Sequence, residues 1–451
     1  MKYAIIAAGE GSRLREEGIE MPKPLVFVNG ERLIDRLLRI FMDNDATDIV
    51  VICNDLFPEV AEHLAKREAE GLPLRHIVKT TSSSMHSLYE ISSLLGEGKF
   101  IATTVDTYFS EDMFKDYVEA FRTSEADGMM AVTSYCDDEK PLFVSTLEDG
   151  IITGFHDAKP EGRCYVSAGI YGLSTKVIAT LEECISNGQS RMRNFQRALV
   201  ANKFRLVAYP MGKVIDIDHA TDISQVQKHI AGIYRAQRFS PGSVEKDRTI
   251  LDATMRQLST QGYAVSTISE EDILSAGTLP QASCYLSMAR SEGVLQLLQD
   301  KPCVNSSASI RYCNHRRYIT GDTTQPPLWI KRSDQCSEQE EDVTFCATQS
   351  DVKTAITAMR ARGIDSYVMQ PHYEGKHIKF YGVSGTSFFS PSGHDSLKDI
   401  AESMANNAGL TVYGGDAIIS ADGTTNIIDL NDWPSFSPCV REAATAIASV
   451  I

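Results

Sequence analysis

A two-domain α/β protein is the fold class this sequence predicts, and three observations predict it. The chain, at 451 residues, is longer than one hydrophobic core usually serves. Apolar strands alternate with amphipathic helices through the first half, and a stretch without periodicity near residue 240 sets that half apart from the rest. Composition agrees, since 43% hydrophobic and 23% charged residues are ordinary for a soluble globular chain. A net charge of -16 and a pI near 5.1 argue against a nucleic-acid partner, because phosphate contacts need a basic field. Phosphate sites must then be local basic clusters. No apolar run reaches the roughly 18 residues of a membrane span. The AIIAA segment from Ala4 to Ala8 is too short for the apolar core of a signal peptide and runs into a glycine turn. A cytoplasmic protein without membrane attachment is therefore expected. The ten cysteines form no C-x-x-C pair, and buried thiols are expected rather than a disulfide framework or a zinc site.

The first element is the strand that opens the chain, followed by Gly9-Glu10-Gly11-Ser12-Arg13 and a loop ending in Pro22-Lys23-Pro24. Two glycines let the backbone bend sharply and bring its N–H groups close to a polyphosphate, while Arg13 and Lys23 supply cations for the same oxygens. No Gly-Lys-Ser/Thr follows, so this is not a P-loop, and the third glycine of a dinucleotide fingerprint is missing. Next come a helix over residues 31–44, a buried strand over 48–53, a helix over 59–69 and a strand over 75–79. Such alternation implies a mostly parallel sheet, with ligands at its carboxyl edge. Ser82 to Tyr89 opens another helix, which reads from composition as a serine-rich cap. The strand 100–104 ends in Val105-Asp106, a place from which a carboxylate could hold a metal or simply close a turn. Strands follow at 150–155 and 166–173, and the half closes on Val214-Ile215-Asp216-Ile217-Asp218. Alternation along a strand would aim Asp216 and Asp218 at one metal.

In this order the glycine loop with Pro22-Lys23-Pro24, Asp106 and the Asp-x-Asp resemble the sugar-phosphate nucleotidyltransferases over about residues 1–228. Ser87-Leu88-Tyr89 is most similar to the phosphocholine-type cytidylyltransferases. The resemblance implies a Rossmann-like, GT-A-like mixed sheet and transfer of a nucleotidyl group, CTP favoured, to a small phosphorylated acceptor. It assigns Ala8, Gly9, Gly11, Ser12, Ser84 and Ser87 to the nucleotide. Arg13 and Lys23 fall on its phosphates, Lys159 and Tyr171 on the acceptor, and Asp106, Asp216 and Asp218 on Mg²⁺, with Asp222 capping the next helix. Val105 stands where that family usually has glycine.

The loop around Ser-Pro-Gly-Ser (240–243) sets the boundaries: a first domain over 1–235, a linker over 236–248 and a second domain over 249–451. Neither the glycine loop nor the Asp-x-Asp recurs later, so there is no internal repeat. A helix and strand over 252–267 and a strand leading to Arg290 come first, followed by a basic cluster, Arg311, His315, Arg316 and Arg317, that reads as a solvated helix face. Lys331 ends an apolar strand, Tyr367 to Gly375 forms a strand and hinge, and Lys379 follows. Asp429 and Asn431, two apart on a strand, could join Asp416 on a hard cation. The segment from 249 onward resembles the ATP-grasp superfamily, an α+β fold, with 249–310 as its preceding portion. The resemblance implies ATP as substrate and places Lys331 on the nucleotide phosphates and Gln370 and Tyr373 at the adenine hinge. Mg²⁺ falls on Asp416, Asp429 and Asn431. Lys379 is read as a phosphate contact and Arg290 as a substrate contact. Asp429-Leu430-Asn431-Asp432-Trp433-Pro434 is most similar to the inositol phosphate kinase type. Arg316 and Arg317 depart from it where a lysine is expected, as does the acidic, glycine-free segment after Lys331. A bifunctional kinase and nucleotidyltransferase is the expectation. A carboxylate-amine ligase or a non-catalytic ATP-binding module remain as alternatives for the second domain, and a homo-oligomer stays open.

Overall fold

The computed structural model describes every residue except 137–139, 240, 241, 243, 320–322 and 391–394. The Ser-Pro-Gly-Ser boundary signal therefore lies largely outside the described residues. The chain divides into two compact units, Met1–Gln227 and Lys228–Ile451.

In the first unit the opening strand, Lys2–Ala7, lies at the centre of a nine-stranded mixed sheet. It pairs in parallel with Asp48–Cys53 on one side and Lys99–Thr104 on the other, and Leu74–Val78 extends the first side in parallel. Beyond Lys99–Thr104 the pairing turns antiparallel through Cys164–Ser174, so only half of the sheet is of the parallel type expected from the alternation. The reason is local: Cys164–Ser174 is an 11-residue strand that returns along the edge and serves two antiparallel neighbours, Gly128–Thr133 and Phe143–Thr146. Because both faces of the sheet are covered, its central strands read as continuous apolar runs. Tyr3 and Ile5 enter one core with Ile49, Val51, Phe41 and Phe114. Ala4 and Ile6 enter the other with Leu88, Ile91, Phe100 and Phe195.

The helix Leu33–Asp43 forms because its apolar residues recur at helical spacing, burying Leu33, Ile34, Leu37, Leu38, Ile40 and Phe41 on one side. The helix Ser84–Leu95 starts where the Ser83 hydroxyl accepts from the backbone N–H of His86 and ends at Gly96. It packs Met85, Leu88, Ile91 and Leu95 under the sheet. The carboxyl ends of Lys2–Ala7 and Lys99–Thr104 thus open on the same edge, with the start of this helix beside them.

Among the described residues the second unit holds three sheets. A four-stranded parallel sheet has the order Ala264–Ser269, His229–Tyr234, Cys284–Ser287, Cys303–Val304. Here the structure corrects the expected boundary, because His229–Tyr234, assigned above to the first domain, is a central strand of the second unit. Its apolar IAGI core is sealed on both sides by parallel neighbours, and Ile230, Ala231 and Ile233 are buried. The helix Val244–Thr260, part of which fell in the expected linker, packs its Ile250, Leu251, Met255 and Leu258 into the same core as Ile230. The other two sheets are antiparallel: Leu328–Arg332 between Val343–Cys346 and Tyr367–Pro371, and a four-stranded one running Ser387–Phe389, Lys376–Val383, Val412–Ile419, Thr425–Asn431. Among the described residues no helix is long and apolar enough to cross a membrane.

Candidate functional sites

The glycine loop of the first unit is held from behind by a residue the sequence reading missed. Asn54, buried at the end of its strand, donates from Nδ2 to the Gly9 carbonyl at 3.0 Å and to that of Ala8 at 3.4 Å. An asparagine directly after an apolar strand was the signal in the sequence, and it does not name the partner. Gly11 takes φ +60°, and a Cβ there would lie 3.1 Å from the Lys23 Cβ. Gly9 is different. A Cβ built on it would meet nothing within 4 Å, so its lack of a side chain leaves open space rather than relieving strain.

That space belongs to a cavity of about 520 Å³ lined by the glycine loop, Arg13, Lys23, Ser84, Ser87, Asp106 and Asp218. Ala8, Gly9, Gly11 and Ser12 all border it, so each residue assigned to the nucleotide reaches the same space. Ser87 is buried, and its hydroxyl donates to the Ser83 carbonyl at 3.2 Å. The Lys23 ammonium lies between two carboxylates, 2.5 Å from Asp106 Oδ2 and 2.6 Å from Asp218 Oδ1, while Arg13 Nη1 meets Asp218 Oδ2 at 2.9 Å. Burial by itself would make the ammonium easier to deprotonate. The adjoining Asp106 and Asp218 outweigh that and raise its pKa above the ordinary lysine value. Burial pushes the Asp106 carboxyl up, but Lys23 opposes it and the net shift is downward.

Asp216 and Asp218 do not follow one strand, as expected from their spacing. The strand is only Ile215–Asp216, paired with Thr107–Tyr108, and the Asp218 N–H bonds back to the Asp216 carbonyl at 3.0 Å. This turn separates the two side chains. Asp218 faces Lys23 and Arg13, whereas Asp216 accepts from the Thr107 hydroxyl at 3.2 Å. Asp216 is pushed up to about 7, first by the protein mass around it and then by the Asp106 and Asp218 charges. Its side chain is open to solvent, so the repulsion from the two neighbouring carboxylates is the firmer cause. The following helix, Ala220–Val226, is fixed by Asp222, which accepts from the N–H groups of Asp218 and His219. Glu17 reaches across to His219 at 2.6 Å and to the Ala220 N–H at 2.7 Å, tying the basic loop to this segment.

A smaller cavity of about 120 Å³ shares Arg13 and Asp218 with the first and adds Asp216, Tyr135, Ser167 and His219. The acceptor residues inferred above do not border it. Tyr171 is buried in the core, because its strand turns that side chain inward between Ala102 and Met130. Lys159 is exposed on the loop after Ile152–His156 and lines neither cavity. Among the described residues no three acidic, histidine or cysteine side chains stand at metal-ligating spacing. The donors still fit Mg²⁺, which is usually held by one or two carboxylates and completed by substrate phosphates and water.

The family model of nucleotidyl transferases matches residues 2–230. The chain belongs to this nucleotidyl transferase family. It is 32% identical over 115 residues to N-acetylmuramate alpha-1-phosphate uridylyltransferase of Caulobacter vibrioides, covering 24% of this chain and 46% of that protein. To a protein described as a probable glucose-1-phosphate cytidylyltransferase of Bacillus subtilis it is 22% identical over 203 residues, covering 39% of this chain and 76% of that one. The chain thus spans just under half the length of the first relative and about three quarters of the second. Among solved structures, the inositol-1-phosphate CTP transferase from T. maritima is 18% identical with a TM-score of 0.42, over 49% of this chain and 90% of that one. HddC from Yersinia pseudotuberculosis is 19% identical with a TM-score of 0.40, over 50% of this chain and 97% of that one.

In the second unit, antiparallel register lines up Lys379, Asp416 and Asp429 across three neighbouring strands. Lys379 Nζ meets Asp416 Oδ1 at 2.9 Å, and His377 Nε2 meets the same oxygen at 2.7 Å. Asn431 Nδ2 donates to Asp429 Oδ2 at 2.9 Å, so those two side chains share a face as their spacing predicts. Lys331 reaches from its own sheet to the Ile428 carbonyl at 2.7 Å. Burial lowers its pKa to about 8 against the pull of Asp429. A cavity of about 430 Å³ is bordered by Lys379, Asp416, Asn431 and Trp433. A second, of about 300 Å³, is bordered by Asp429 and Asn431 together with Arg235, Arg290 and Arg316. Gln370 is buried and, like Tyr373, lines neither cavity.

The basic cluster is not a solvated face throughout. Arg316 is buried to 11% exposure and held by Asp429 at 3.3 Å, Ser337 at 2.8 Å and the Arg332 carbonyl at 2.9 Å. Its φ of +50° just after the helix Ser307–Asn314 turns the chain inward, a backbone feature that side-chain periodicity does not reveal. Arg290 is likewise buried against Asp432 and Asn314.

Proposed function

We propose that the first unit transfers the nucleotidyl group of an NTP, CTP favoured, to a small phosphorylated acceptor such as a sugar, polyol or amino-alcohol phosphate. The observation that carries this is the meeting of Lys23, Arg13, Asp106 and Asp218 at the mouth of the glycine-loop cavity. The names of the uridylyltransferase and cytidylyltransferase relatives support a phosphorylated sugar as acceptor. An acceptor phosphate oxygen attacks the α-phosphorus in line, the bond to the bridging oxygen breaks, and pyrophosphate leaves. No protein nucleophile is required. Lys23 would exchange its aspartates for an α-phosphate oxygen, and Arg13 would meet the leaving pyrophosphate, both stabilising charge that grows in the transition state. The Gly9 to Ser12 backbone binds the polyphosphate, and Ser84 and Ser87 stand where a base would be read. Asp106, with Asp218 or Asp216, would hold Mg²⁺, which when bound neutralises phosphate charge. The smaller cavity beside Asp216 would take the acceptor, with Lys159 reaching its phosphate only if its loop closes. Tyr171, from the core, would support that wall without touching substrate.

For the second unit the proposal is an ATP-grasp domain acting as a kinase that makes the phosphate the first unit consumes. The row Lys379, Asp416, Asp429 with Asn431, and Lys331 leaning against it, supports this reading: two carboxylates and an amide for a hard cation, two ammonium groups for phosphates. The test incubates the protein with Mg²⁺, ATP and each of CTP, UTP, GTP and dTTP, against sugars, polyols, amino alcohols and their monophosphates, reading ADP and pyrophosphate separately. Pyrophosphate with CTP and a monophosphate supports the transferase. Its absence with all four nucleotides overturns the transferase reading. ADP from an unphosphorylated compound supports the kinase, whereas ADP only when a carboxylate and an amine are both present replaces it with a ligase.

A further inference from the structure

The cavity of about 300 Å³ in the second unit has a charge pattern that the ATP reading does not use. Three arginines from separate segments border it: Arg235 after His229–Tyr234, Arg290 after Cys284–Ser287, and Arg316. The first two follow neighbouring parallel strands at their carboxyl ends, the edge of such a sheet where ligands bind. All three guanidinium side chains are nearly buried, at 10%, 7% and 11% exposure. Each has an aspartate partner, but the partners stand in different places. Asp247 lies at 3.2 Å from Arg235 and borders the neighbouring cavity, and Asp432, which pairs with Arg290, borders neither. Among the described residues Asp429 alone of the carboxylates borders the cavity. Its described wall therefore presents three cations and one anion. The thiols that share the wall, Cys313 and Cys336, add no negative charge, since burial raises both, Cys336 to about 11.

Arg290 is the most telling. Its Nη1 is committed to Asp432 and to Asn314 Oδ1 at 2.9 Å, while Nε and Nη2 donate to no acceptor among the described residues. These two nitrogens form the side-on fork of a guanidinium, the edge that matches two oxygens of a carboxylate or phosphate. Arg235, in contrast, spends its Nε and Nη2 on the carbonyls of Met288 and Trp433, at 3.3 and 3.0 Å. Neither of the two Arg290 nitrogens is a fully buried orphan, so both remain accessible to an acceptor in the cavity that Arg290 borders. Burial also lowers the Arg235 pKa, and the nearby Arg290 charge adds to that, so an anion in the cavity relieves a repulsion already present.

We propose that this cavity binds the carboxylate or phosphate of a small anionic compound, seated on the Arg290 fork with Arg235 and Arg316 flanking it. The site stands on the second unit alone and does not depend on ATP being bound next to it. If both hold, the compound sits beside Asp429 and Asn431 and is the substrate of that centre, which then acts on an anion rather than a neutral polyol.

Both tryptophans, Trp329 and Trp433, belong to the second unit, and the Trp433 carbonyl accepts from Arg235. Tryptophan fluorescence of the full chain thus comes from residues of this unit, and the variants below separate its response from phosphate bound in the first. The experiment titrates nucleotide-free protein with inorganic phosphate in one arm and succinate in the other, at constant ionic strength set with chloride. A saturable change in either arm is expected, and the arm that saturates identifies the oxyanion. The double variant Arg290→Met/Asp432→Leu removes the fork without leaving a buried aspartate unpaired, and Arg316→Gln alters the flank alone. Each should weaken binding by at least about tenfold. If the double variant loses its native circular dichroism, Arg316→Gln decides. No saturable response to either anion, or equal affinity in the folded variants, overturns the proposal. ATP turnover, measured separately, can fail without affecting this result.

Discussion

Lys23 bridges Asp106 and Asp218, so stabilising a transferring phosphate requires its ammonium to leave at least one of them. Its ammonium compensates the charge of these two carboxylates, the pair proposed above for Mg²⁺. Lys23→Met is expected to reduce the rate of pyrophosphate release by roughly 10²–10³-fold, as removing one preorganised charge stabiliser typically does. The same variant should bind Mn²⁺ more tightly in the absence of nucleotide, measured by electron paramagnetic resonance. Unchanged Mn²⁺ affinity would show that the lysine and a metal do not compete for the two aspartates. Asp216 gives a prediction of opposite sign. Its pKa is raised to about 7, so the folded protein holds a proton there that the unfolded chain gives up near pH 4. Folding is therefore favoured at this group below the unfolded pKa, and the advantage is lost as pH rises toward 7. In metal-free buffer Asp216→Asn should raise the Tm of the first unit at pH 8 and leave it unchanged at pH 4. Lys23, Arg13, Asp106 and Asp218 were expected together from the family resemblance, and they do border one cavity, although the strand spacing that paired Asp218 with Asp216 did not hold. Asn54, Glu17 and Arg316 were not legible in the sequence, because each acts on backbone or side chains that come near only after folding, from 45 residues away in the case of Asn54 and Gly9.

The glycine loop and the helices behind it show what can be read at the scale of an element. The two glycines look alike in sequence and differ in structure. Gly11→Ala forces an L residue to φ +60° and into contact with Lys23, which should cost about 1–2 kcal/mol of stability together with most of the activity. Gly9→Ala meets no protein atom, so Tm should hold while the KM for the nucleotide rises, because the new methyl group enters the cavity. Equal loss of stability in both variants would contradict the distinction. Helix pairing gives a second case. Asp35 on Leu33–Asp43 accepts from Arg67 Nε at 2.9 Å and pairs with His63 Nε2 at 2.7 Å, both on Pro58–Ala69. Burial opposes its ionisation, but His63 and Arg67 prevail and hold the pKa at about 2. The stability it contributes, about 2 kcal/mol, is present above pH 4 and disappears as pH falls toward 2. Denaturant melts should show Asp35→Asn less stable than the parent protein at pH 5, with the gap closing on acidification. Helices and buried strands of the first unit were legible because one apolar face or one apolar run marks each. The antiparallel half of its sheet was not, since Cys164–Ser174 pairs with strands on both sides, and pairing direction leaves no trace in periodicity.

At the scale of the whole molecule the decisive difference between sequence and structure is a single strand. Proline, glycine and serine near residue 240 suggest a linker, and loss of periodicity there is real in composition. Yet His229–Tyr234, before that point, has parallel neighbours on both sides, Ala264–Ser269 and Cys284–Ser287. A strand in that position contributes ladder bonds to two partners, and Ile230 and Ile233 enter cores on opposite faces of the sheet. Removing it would leave two facing edges unpaired and open both cores. Two second-unit fragments that differ only in where they begin should therefore behave differently. A chain of residues 1–227 keeps every strand of the nine-stranded sheet, and its circular dichroism should show a cooperative melt with pyrophosphate release retained. A chain of 228–451 should also melt cooperatively. A chain of 249–451, cut where composition places the domain start, lacks the central strand and the first turn of Val244–Thr260, and should be unfolded or aggregated. If 249–451 melts like 228–451, the strand is dispensable and the compositional boundary is the physical one.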